Sequence, residues 1–132
     1  MSWGGIKLEP ADILWSKYIR KKHRKCEMCG KLGTGEDGIT GLECAHYKGR
    51  RRRSVRFYEP NCLCLCIGCH RKCHEDPDMH CSFMKKKLGE RGYEILIVQA
   101  NVTQKKDKVM EKMYAKACLD DLENPKYTAP TR

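Results

Sequence analysis

Cysteine and histidine carry most of the chemistry that this 132-residue chain offers, with ten cysteines and five histidines in all. Two CxxC pairs stand out, Cys26/Cys29 and Cys66/Cys69. Two thiolates separated by two residues can chelate one Zn²⁺ within a single turn, and two such pairs complete a tetrahedral site with four sulfur ligands. We therefore predict a structural zinc ion on these four residues, with a hairpin between the pairs closing the long intervening loop.

Neighbouring cysteines leave the exact ligand set open. Cys62 and Cys64 share one face of an expected strand with Cys66, and Cys73 follows Cys69 by four residues. Each of these three neighbours could therefore replace one of the four ligands. Buried free thiols or a redox pair are the alternative use of the two motifs. A second CxxC pair at this distance fits a metal site better than redox chemistry.

Two histidines next to the second pair suggest a separate metal site. His70 and His74 are four residues apart, so on a helix their side chains share one face, about 100° around from Cys69. If Cys69 faces the four-cysteine ion, the two histidines point elsewhere and can hold an ion with few protein ligands. Such an ion keeps positions open for water and a phosphate group, as a catalytic metal requires. An HxxxH pair alone is weak evidence, and it needs a third element.

The third element is the run ECAHY together with Asn61. His46 ends an apolar segment with strand character, and it precedes Asn61 by fifteen residues. Asn61 precedes His70 by nine residues, and His70 precedes His74 by four. A neutral imidazole near pH 7 can take a proton from water, so His46 is a candidate general base.

These spacings, and the run N-x-L-x-L-C-x-x-C-H, resemble the HNH (ββα-metal) endonucleases in their zinc-stabilised subset. The resemblance covers about residues 26–75. The flanking runs PADILWSKYIRKKHRKCEMCG and FMKKKLGERGYEILIVQAN are similar to phage-encoded NinG-like recombination nucleases. The resemblance implies an α+β fold, with a small zinc-bound ββα-metal core of treble-clef-like form flanked by helices.

The resemblance also implies a role for each motif residue. His46 takes the place of the general base, and Asn61 the place of the residue that bonds backbone near the base and fixes its orientation. His70 takes the place of a metal ligand, and His74 that of a further ligand found in part of the family. The reaction would be hydrolysis of a phosphodiester, leaving 5′-phosphate and 3′-hydroxyl ends. Mg²⁺ or Mn²⁺ is the expected catalytic ion, although two imidazoles would also accept Zn²⁺ or Ni²⁺.

One position departs from the family pattern. Many members carry an Asp or His immediately before the general base as a metal ligand, and this chain has Ala45 there. Glu43 lies two residues earlier, on the same strand face as Ala45. We therefore expect the longer Glu43 side chain to reach the catalytic metal in its place.

The net charge of the chain, +10 at pH 7, points to a polyanionic partner, and nucleic acid is the commonest one. The densest basic stretch, KGRRRRSVR, falls between the two expected strands of the motif. Its arginines are candidates for phosphate contacts, because a guanidinium fork matches phosphate oxygens: Arg50, Arg51, Arg52, Arg53 and Arg56. A solvated charge run is the alternative interpretation.

Other residues of these chemical types receive structural interpretations. His23 and His80 are expected at the surface. Cys44 and Cys118 are expected to be small buried apolar side chains.

Local signals predict the elements that would position the motif. Pro10 and the apolar spacing after it indicate a helix over about 10–23, and 39–47 and 61–66 have strand character. A helix is expected to start near Cys69. The pair Asp76-Pro77 indicates an N-cap and first turn of another helix, over about 77–88 and stopped by Gly89, while 93–101 is ambiguous and favours helix.

The last helix is expected over about 105–122, with five residues facing inward: Val109, Met110, Met113, Ala117 and Leu122. Together these elements predict a single domain over residues 1–124, preceded by a loose arm within residues 1–9 and followed by a disordered tail over 125–132.

Three functional classes are compatible with the sequence. The first is a metal-dependent endonuclease acting on duplex or branched DNA, for which junction cutting would require a homodimer. The second is a catalytically inactive zinc-containing DNA-binding protein, and the third is an RNA-binding zinc ribbon. Neither the second nor the third needs His46, Asn61 and His70 together. With no signal peptide or membrane span in the sequence, we expect a cytoplasmic location, in a bacterial host if the gene is carried by a phage.

Overall fold

The computed structural model describes residues 2–3 and 6–125, with side chains from residue 7 onward. Within these residues the fold is α+β, with five α-helices and two small antiparallel sheets of two strands each. The elements in chain order are β1 (Ser2–Trp3), β2 (Ile6–Lys7), α1 (Pro10–His23), β3 (Leu42–His46), α2 (Arg53–Arg56), a 3₁₀ turn (Glu59–Asn61), β4 (Cys62–Cys66), α3 (Ile67–Glu75), α4 (Pro77–Ala100) and α5 (Lys108–Glu123). The expected loose arm within residues 1–9 instead contains the β1–β2 pair.

Helix α1 has the predicted boundaries, and its ends show why. Pro10 occupies the first turn, where its missing N–H costs nothing. The Asp12 carboxylate accepts the Glu9 backbone N–H at 2.7 Å and so caps the helix. Arg24 adopts a left-handed conformation with φ of 59° and ends the helix.

The central sheet pairs β3 with β4 in an antiparallel register that places Leu42 opposite Cys66 and His46 opposite Cys62. Every residue of β4 is buried. The chain passes directly from β4 into α3, and the Cys66 sulfur accepts the Cys69 backbone N–H at 3.4 Å to cap that helix. This geometry places the CxxC pair of Cys66 and Cys69 at the junction of strand and helix.

The hydrophobic core lies between the sheet and the long helices. Its largest fully buried side chains come from α1, β4 and α4: Trp15, Ile19, Leu63, Leu65, Met84 and Leu96. Burying a side chain of this size contributes about 1.5–3 kcal/mol, so these contacts fix the sheet firmly against the helices. The core therefore supports β3 and β4, the two strands that carry the motif residues.

The first segment of helix α4 begins at Pro77 and ends at Gly89, as predicted. The Asp76 carboxylate accepts the Met79 backbone N–H at 3.1 Å, and Pro77 follows in the first turn. Gly89, with φ of 75° and ψ of 167°, interrupts the helix with a kink. A second helical segment follows Gly89 and runs to Ala100, which confirms the preference for helix over 93–101.

The prediction for the inward face of α5 is wrong. Val109, Met110 and Met113 are exposed by 59–68%, Ala117 is exposed and Leu122 is half-buried. The buried residues of this helix, which packs against α1, are instead Glu111, Ala115 and Leu119. A buried glutamate is stable here because the Arg53 guanidinium pairs with it.

The expected disordered tail falls outside the described residues, except for residue 125. No helix in the described part of the chain is both long enough and apolar enough to cross a bilayer.

Candidate functional site

The four predicted zinc ligands converge. The sulfur atoms of Cys26, Cys29, Cys66 and Cys69 all lie within 4.8 Å of one another. A tetrahedron with zinc–sulfur bonds of about 2.3 Å has sulfur–sulfur edges of about 3.8 Å. The Cys29 and Cys66 sulfurs are 3.7 Å apart, which matches that edge. The four cysteines thus form a metal site compatible with structural zinc.

A tight turn holds the first cysteine pair. The Cys26 N–H donates to the Lys31 carbonyl at 2.8 Å, and the Gly30 N–H donates to the Cys26 carbonyl at 2.9 Å. Gly30 has φ of 80°, a left-handed conformation that glycine adopts without steric cost. The turn directs both sulfurs toward the start of α3, where the second pair lies.

The environment of this site favours thiolate at Cys26. Burial raises the pKa of the Cys26 thiol, but backbone N–H groups around it, chiefly that of Cys29, outweigh burial and lower the pKa to about 7. Metals bind the thiolate form of cysteine, so the lowered pKa reduces the cost of deprotonating this ligand.

Among the described residues, neither Cys64 nor Cys73 belongs to the set of sulfur atoms that lie within 4.8 Å of one another at this site. The Cys73 sulfur lies 4.0 Å from the Met28 sulfur. The backbone N–H of Cys64 donates to Glu27 at 2.7 Å, in a strand position where the side chain is fully buried. Cys62 belongs to a different cluster, described below.

A cavity of about 480 Å³ lies beside β3, between α1 and α3. Its walls include His46, Glu43, His70, His74 and Arg50. The three histidines of the motif therefore face one space, although His46 and Glu43 come from opposite faces of β3.

Glu43 and His70 are in direct contact. The His70 Nδ1 lies 2.8 Å from a Glu43 carboxylate oxygen. The His74 ring centroid is 5.0 Å from that of His70. Among the described residues these three side chains do not form a set of ligand atoms within 4.8 Å of one another, unlike the four cysteines. They offer one imidazole and one carboxylate side by side, with a second imidazole further out.

Asn61 fixes the loop after β3. Its Oδ1 accepts the Lys48 N–H at 2.8 Å, and its Nδ2 donates to the carbonyls of Lys48 and Val55 at 2.9 and 3.1 Å. The side chain is completely buried. Since Lys48 is two residues beyond His46, these bonds hold the backbone next to the histidine in place.

The His46 ring is oriented from the same loop. Its Nε2 lies 2.9 Å from the Arg56 carbonyl, which can only accept, so Nε2 carries a proton in this contact. The ring also makes a side-chain hydrogen bond with Cys62, which belongs to the cluster described below.

A second cluster, which the sequence did not reveal, surrounds His46. The ligand atoms of Cys44, His46 and Cys62 lie within 4.8 Å of one another. The indole N–H of Trp15 donates to the Cys62 sulfur at 3.3 Å. Alternation along β3 placed Cys44 and His46 on one face, but only the strand register brings Cys62 beside them. Cys44 is therefore half-buried beside two polar groups rather than a simple apolar side chain.

The charges in this cluster are coupled. Burial raises the pKa of the Cys62 thiol, yet contacts with Cys44, His46 and Trp15 outweigh it and hold that pKa well below its usual value. Burial lowers the pKa of His46, but the adjacent Cys62 sulfur and the Arg56 carbonyl raise it overall. The hydrogen bond to Cys62, together with burial, raises the pKa of Cys44. These shifts favour the thiolate form of Cys62 and raise the basicity of the His46 ring.

Two of the five candidate phosphate-binding arginines pair with carboxylates inside the protein. Arg56 is only 2% exposed, and its guanidinium contacts both carboxylate oxygens of Asp12, at 2.5 and 2.9 Å. Arg53 bonds Glu9 at 3.0 Å and also pairs with Glu111. These pairs tie α2 to α1 and α5, so neither guanidinium can reach a phosphate without breaking an internal ion pair.

The other three arginines lie at or near the surface. Arg50 lines the cavity, 3.6 Å from Asp12. Arg51 and Arg52 are exposed. One Arg52 nitrogen donates to the Ala100 carbonyl at 3.2 Å, at the end of α4.

The prediction that His80 lies at the surface is wrong. It is 9% exposed, packs edge-on against Tyr47 at 4.9 Å, and its buried Nε2 has no hydrogen-bond partner among the residues that the structure describes. Burial, together with nearby His70 and His74, lowers the pKa of His80 to about 4. His23 is partly exposed and lies 3.7 Å from Glu27, outside the cavity.

Comparison of the chain with models of known protein families, with characterised proteins and with solved structures finds no match.

Proposed function

We propose that this protein is a metal-dependent DNA endonuclease of the HNH type, which hydrolyses phosphodiester bonds at the cavity beside β3. The observation that carries the proposal is that Glu43, His46, His70 and His74 line one cavity. The antiparallel pair β3–β4 running directly into α3 gives these residues a ββα frame. The four-cysteine site at the base of α3 would stabilise that frame, with zinc as its ion.

In this proposal His46 is the general base. The neutral ring is the base form: the Arg56 carbonyl holds its proton on Nε2, and Nδ1 would take the proton of the attacking water. The contact with Cys62 raises the pKa of His46 and so opposes this form. Asn61 acts through the loop, because its bonds to both backbone groups of Lys48 restrain the chain just after the base. This is the role that the HNH resemblance implies for the residue.

Glu43 and His70 would hold the catalytic ion, with His74 as a further ligand. Their donor set of carboxylate and imidazole suits Mn²⁺ and is compatible with Mg²⁺. Two protein ligands leave positions for water and phosphate oxygens, and Glu43 supplies the carboxylate that Ala45 lacks. When bound, the ion supplies charge stabilisation for the phosphate and the leaving oxygen.

Duplex or branched DNA is the proposed substrate. The net charge of +10 favours a polyanion, and Arg50 adds a guanidinium to the cavity wall. Arg51 and Arg52 continue this basic edge on the exposed side of the loop. The likeness to NinG-like nucleases favours branched over uninterrupted DNA, with a homodimer as the form that would cut both strands.

A zinc-containing DNA-binding protein without catalysis is the second candidate. The observation favouring it is that Glu43, His70 and His74 do not form a three-ligand set among the described residues. Such a protein would still need the four cysteines and the basic loop, but it would have no use for the orientation of His46.

Cleavage of plasmid and of a four-way junction with Mg²⁺ or Mn²⁺ tests the proposal. We expect nicked or resolved products with 5′-phosphate ends, and we expect His46→Ala to slow cleavage by about 10²-fold or more, since it removes the base. His23→Ala, a histidine outside the cavity, is the matched control and should keep wild-type activity. Binding without cleavage of either substrate would support the second candidate, and equal cleavage by His46→Ala would reject His46 as base.

A further inference from the structure

We propose that Cys44, His46 and Cys62 form a second metal site, separate from the four-cysteine site, that takes a thiophilic divalent ion such as Zn²⁺ or Co²⁺. Two sulfurs and one imidazole within 4.8 Å of one another are a donor set that such ions prefer. The three residues come from two strands whose register is fixed by backbone pairing, so the donors are held together before any ion binds.

The groups behind these donors are arranged as in metal sites. A metal-binding histidine usually donates its other ring N–H to a carbonyl or carboxylate, which fixes the ring. His46 does this through Nε2 and the Arg56 carbonyl, leaving Nδ1 as the ligand atom. The Trp15 indole N–H donates to the Cys62 sulfur and would stabilise it as a thiolate ligand.

One side of the cluster is open. Cys62 is 1% exposed and forms the floor, while Cys44 and His46 line the cavity. An ion on these three donors would keep its fourth position toward the cavity, available to water or to a ligand. The four-cysteine site supplies all four positions of a tetrahedron and has no such opening.

The site has a consequence that rests on the proposed nuclease function. An ion on His46 occupies Nδ1, the atom that would accept the proton from water. Thiophilic ions should therefore inhibit cleavage supported by Mg²⁺, by competing with the base rather than with the catalytic ion.

Cobalt titration tests the site without reference to DNA. The full-length, reduced protein is first loaded with one equivalent of Zn²⁺, which the four-cysteine site retains because zinc outcompetes cobalt there. Added Co²⁺ should produce visible bands together with sulfur-to-cobalt charge transfer, and the charge-transfer intensity should saturate at one equivalent bound by this cluster. Cys44→Ser and Cys62→Ser should each weaken cobalt binding by about tenfold or more and reduce the charge-transfer intensity. Cys118→Ser, which removes a half-buried cysteine outside both clusters, should change neither.

Each other outcome overturns the site or its consequence. Cobalt bound without charge transfer, or bound equally by Cys44→Ser, would assign the ion to other ligands such as His70 and His74. No second equivalent, or loss of two thiols to a Cys44–Cys62 disulfide in place of metal binding, would also reject it. Circular dichroism checks that both variants fold. If Cys62→Ser fails to fold, Cys44→Ser still tests the site, because Cys44 is only half-buried.

The cleavage assay separates the two proposals. Each variant is compared with its own rate in Mg²⁺ alone, and Co²⁺ should inhibit the wild type at concentrations that leave Cys44→Ser uninhibited. A protein that binds cobalt through sulfur but never cleaves DNA keeps the metal site and loses the nuclease proposal. Cleavage that continues while cobalt occupies the site would reject the role of Nδ1.

Discussion

Single side chains in this protein show how strongly burial decides chemistry. Asn61 and His80 are both buried polar side chains, yet their hydrogen-bond partners differ. Asn61 has a partner for its carbonyl oxygen and two for its amide, so its burial costs little. The Nε2 of His80 has no hydrogen-bond partner among the described residues, and burial lowers the pKa of the ring so that it stays neutral near pH 7.

His80 gives a prediction for stability as a function of pH. Its pKa is about 4 in the folded protein and about 6.5 in the unfolded chain, so the unfolded chain binds an extra proton between those values. Stability should therefore fall as the pH drops from about 6.5 toward 4, by roughly 2–3 kcal/mol from this residue. Urea unfolding of wild type and His80→Gln at several pH values measures it.

The difference between the two proteins isolates His80, because the carboxylates that also titrate below pH 5 are common to both. The gap in unfolding free energy should change in favour of His80→Gln as the pH falls through this range. A constant gap from pH 7 to pH 4 would show that His80 is not held neutral by its surroundings.

At the scale of elements, the four-cysteine site joins the turn at Cys26 to the junction of β4 and α3. Cys29 is exposed, so Cys29→Ser tests the metal with little change in packing. We expect the zinc content to fall by one ion per chain and the unfolding free energy to drop by about 3 kcal/mol or more, since binding energy at such sites is folding energy. Elemental analysis and thermal unfolding measure both, with Cys118→Ser as control.

Hydrogen exchange would localise that effect. The Cys26 N–H bond to Lys31 and the Cys69 N–H bond to Cys66 should lose protection first in Cys29→Ser. Unchanged zinc content in this variant would mean that another cysteine completes the site.

Local signals in the sequence were sufficient for the starts of the helices α1 and α4. Pro10 and the pair Asp76-Pro77 mark helix starts through their own backbone chemistry, and the structure confirms both. Likewise, the CxxC spacing predicts the four cysteines whose sulfurs the structure brings within 4.8 Å of one another, because each pair can chelate within one turn. Features of this kind depend on residues only a few positions apart.

Features set by distant partners could not be predicted. Burial of Glu111 depends on Arg53, which lies 58 residues away in the chain. The sequence pattern of α5 does not contain this partner, so it predicts that the apolar residues face inward. The cluster at His46 depends on the register of β3 with β4, which the alternating pattern does not specify. Distant carboxylates likewise pair with Arg53 and Arg56, so these two arginines connect helices and are not candidate DNA contacts.

At the scale of the whole molecule, the excess of positive charge is what a nucleic-acid partner would meet first. Much of the acidic charge near the basic loop is already neutralised internally, since Glu9, Asp12 and Glu111 pair with Arg53 and Arg56. Glu9 shows the strength of this pairing: the Arg53 guanidinium lowers the pKa of that carboxyl to about 2. The exposed arginines of the loop therefore act against little local negative charge.

The salt dependence of DNA binding measures how many of these charges contact phosphates. Each phosphate contact adds about 0.9 to the slope of log affinity against log salt concentration on duplex DNA. Replacing the exposed pair Arg51 and Arg52 with alanine should lower that slope by roughly two if both contact phosphates. Lys116→Ala on α5, which removes an exposed charge already paired with Asp120, should leave the slope unchanged. An equal slope in the loop variant and the wild type would place the DNA elsewhere on the surface, and the cavity beside β3 would then have no basic edge to recruit its substrate.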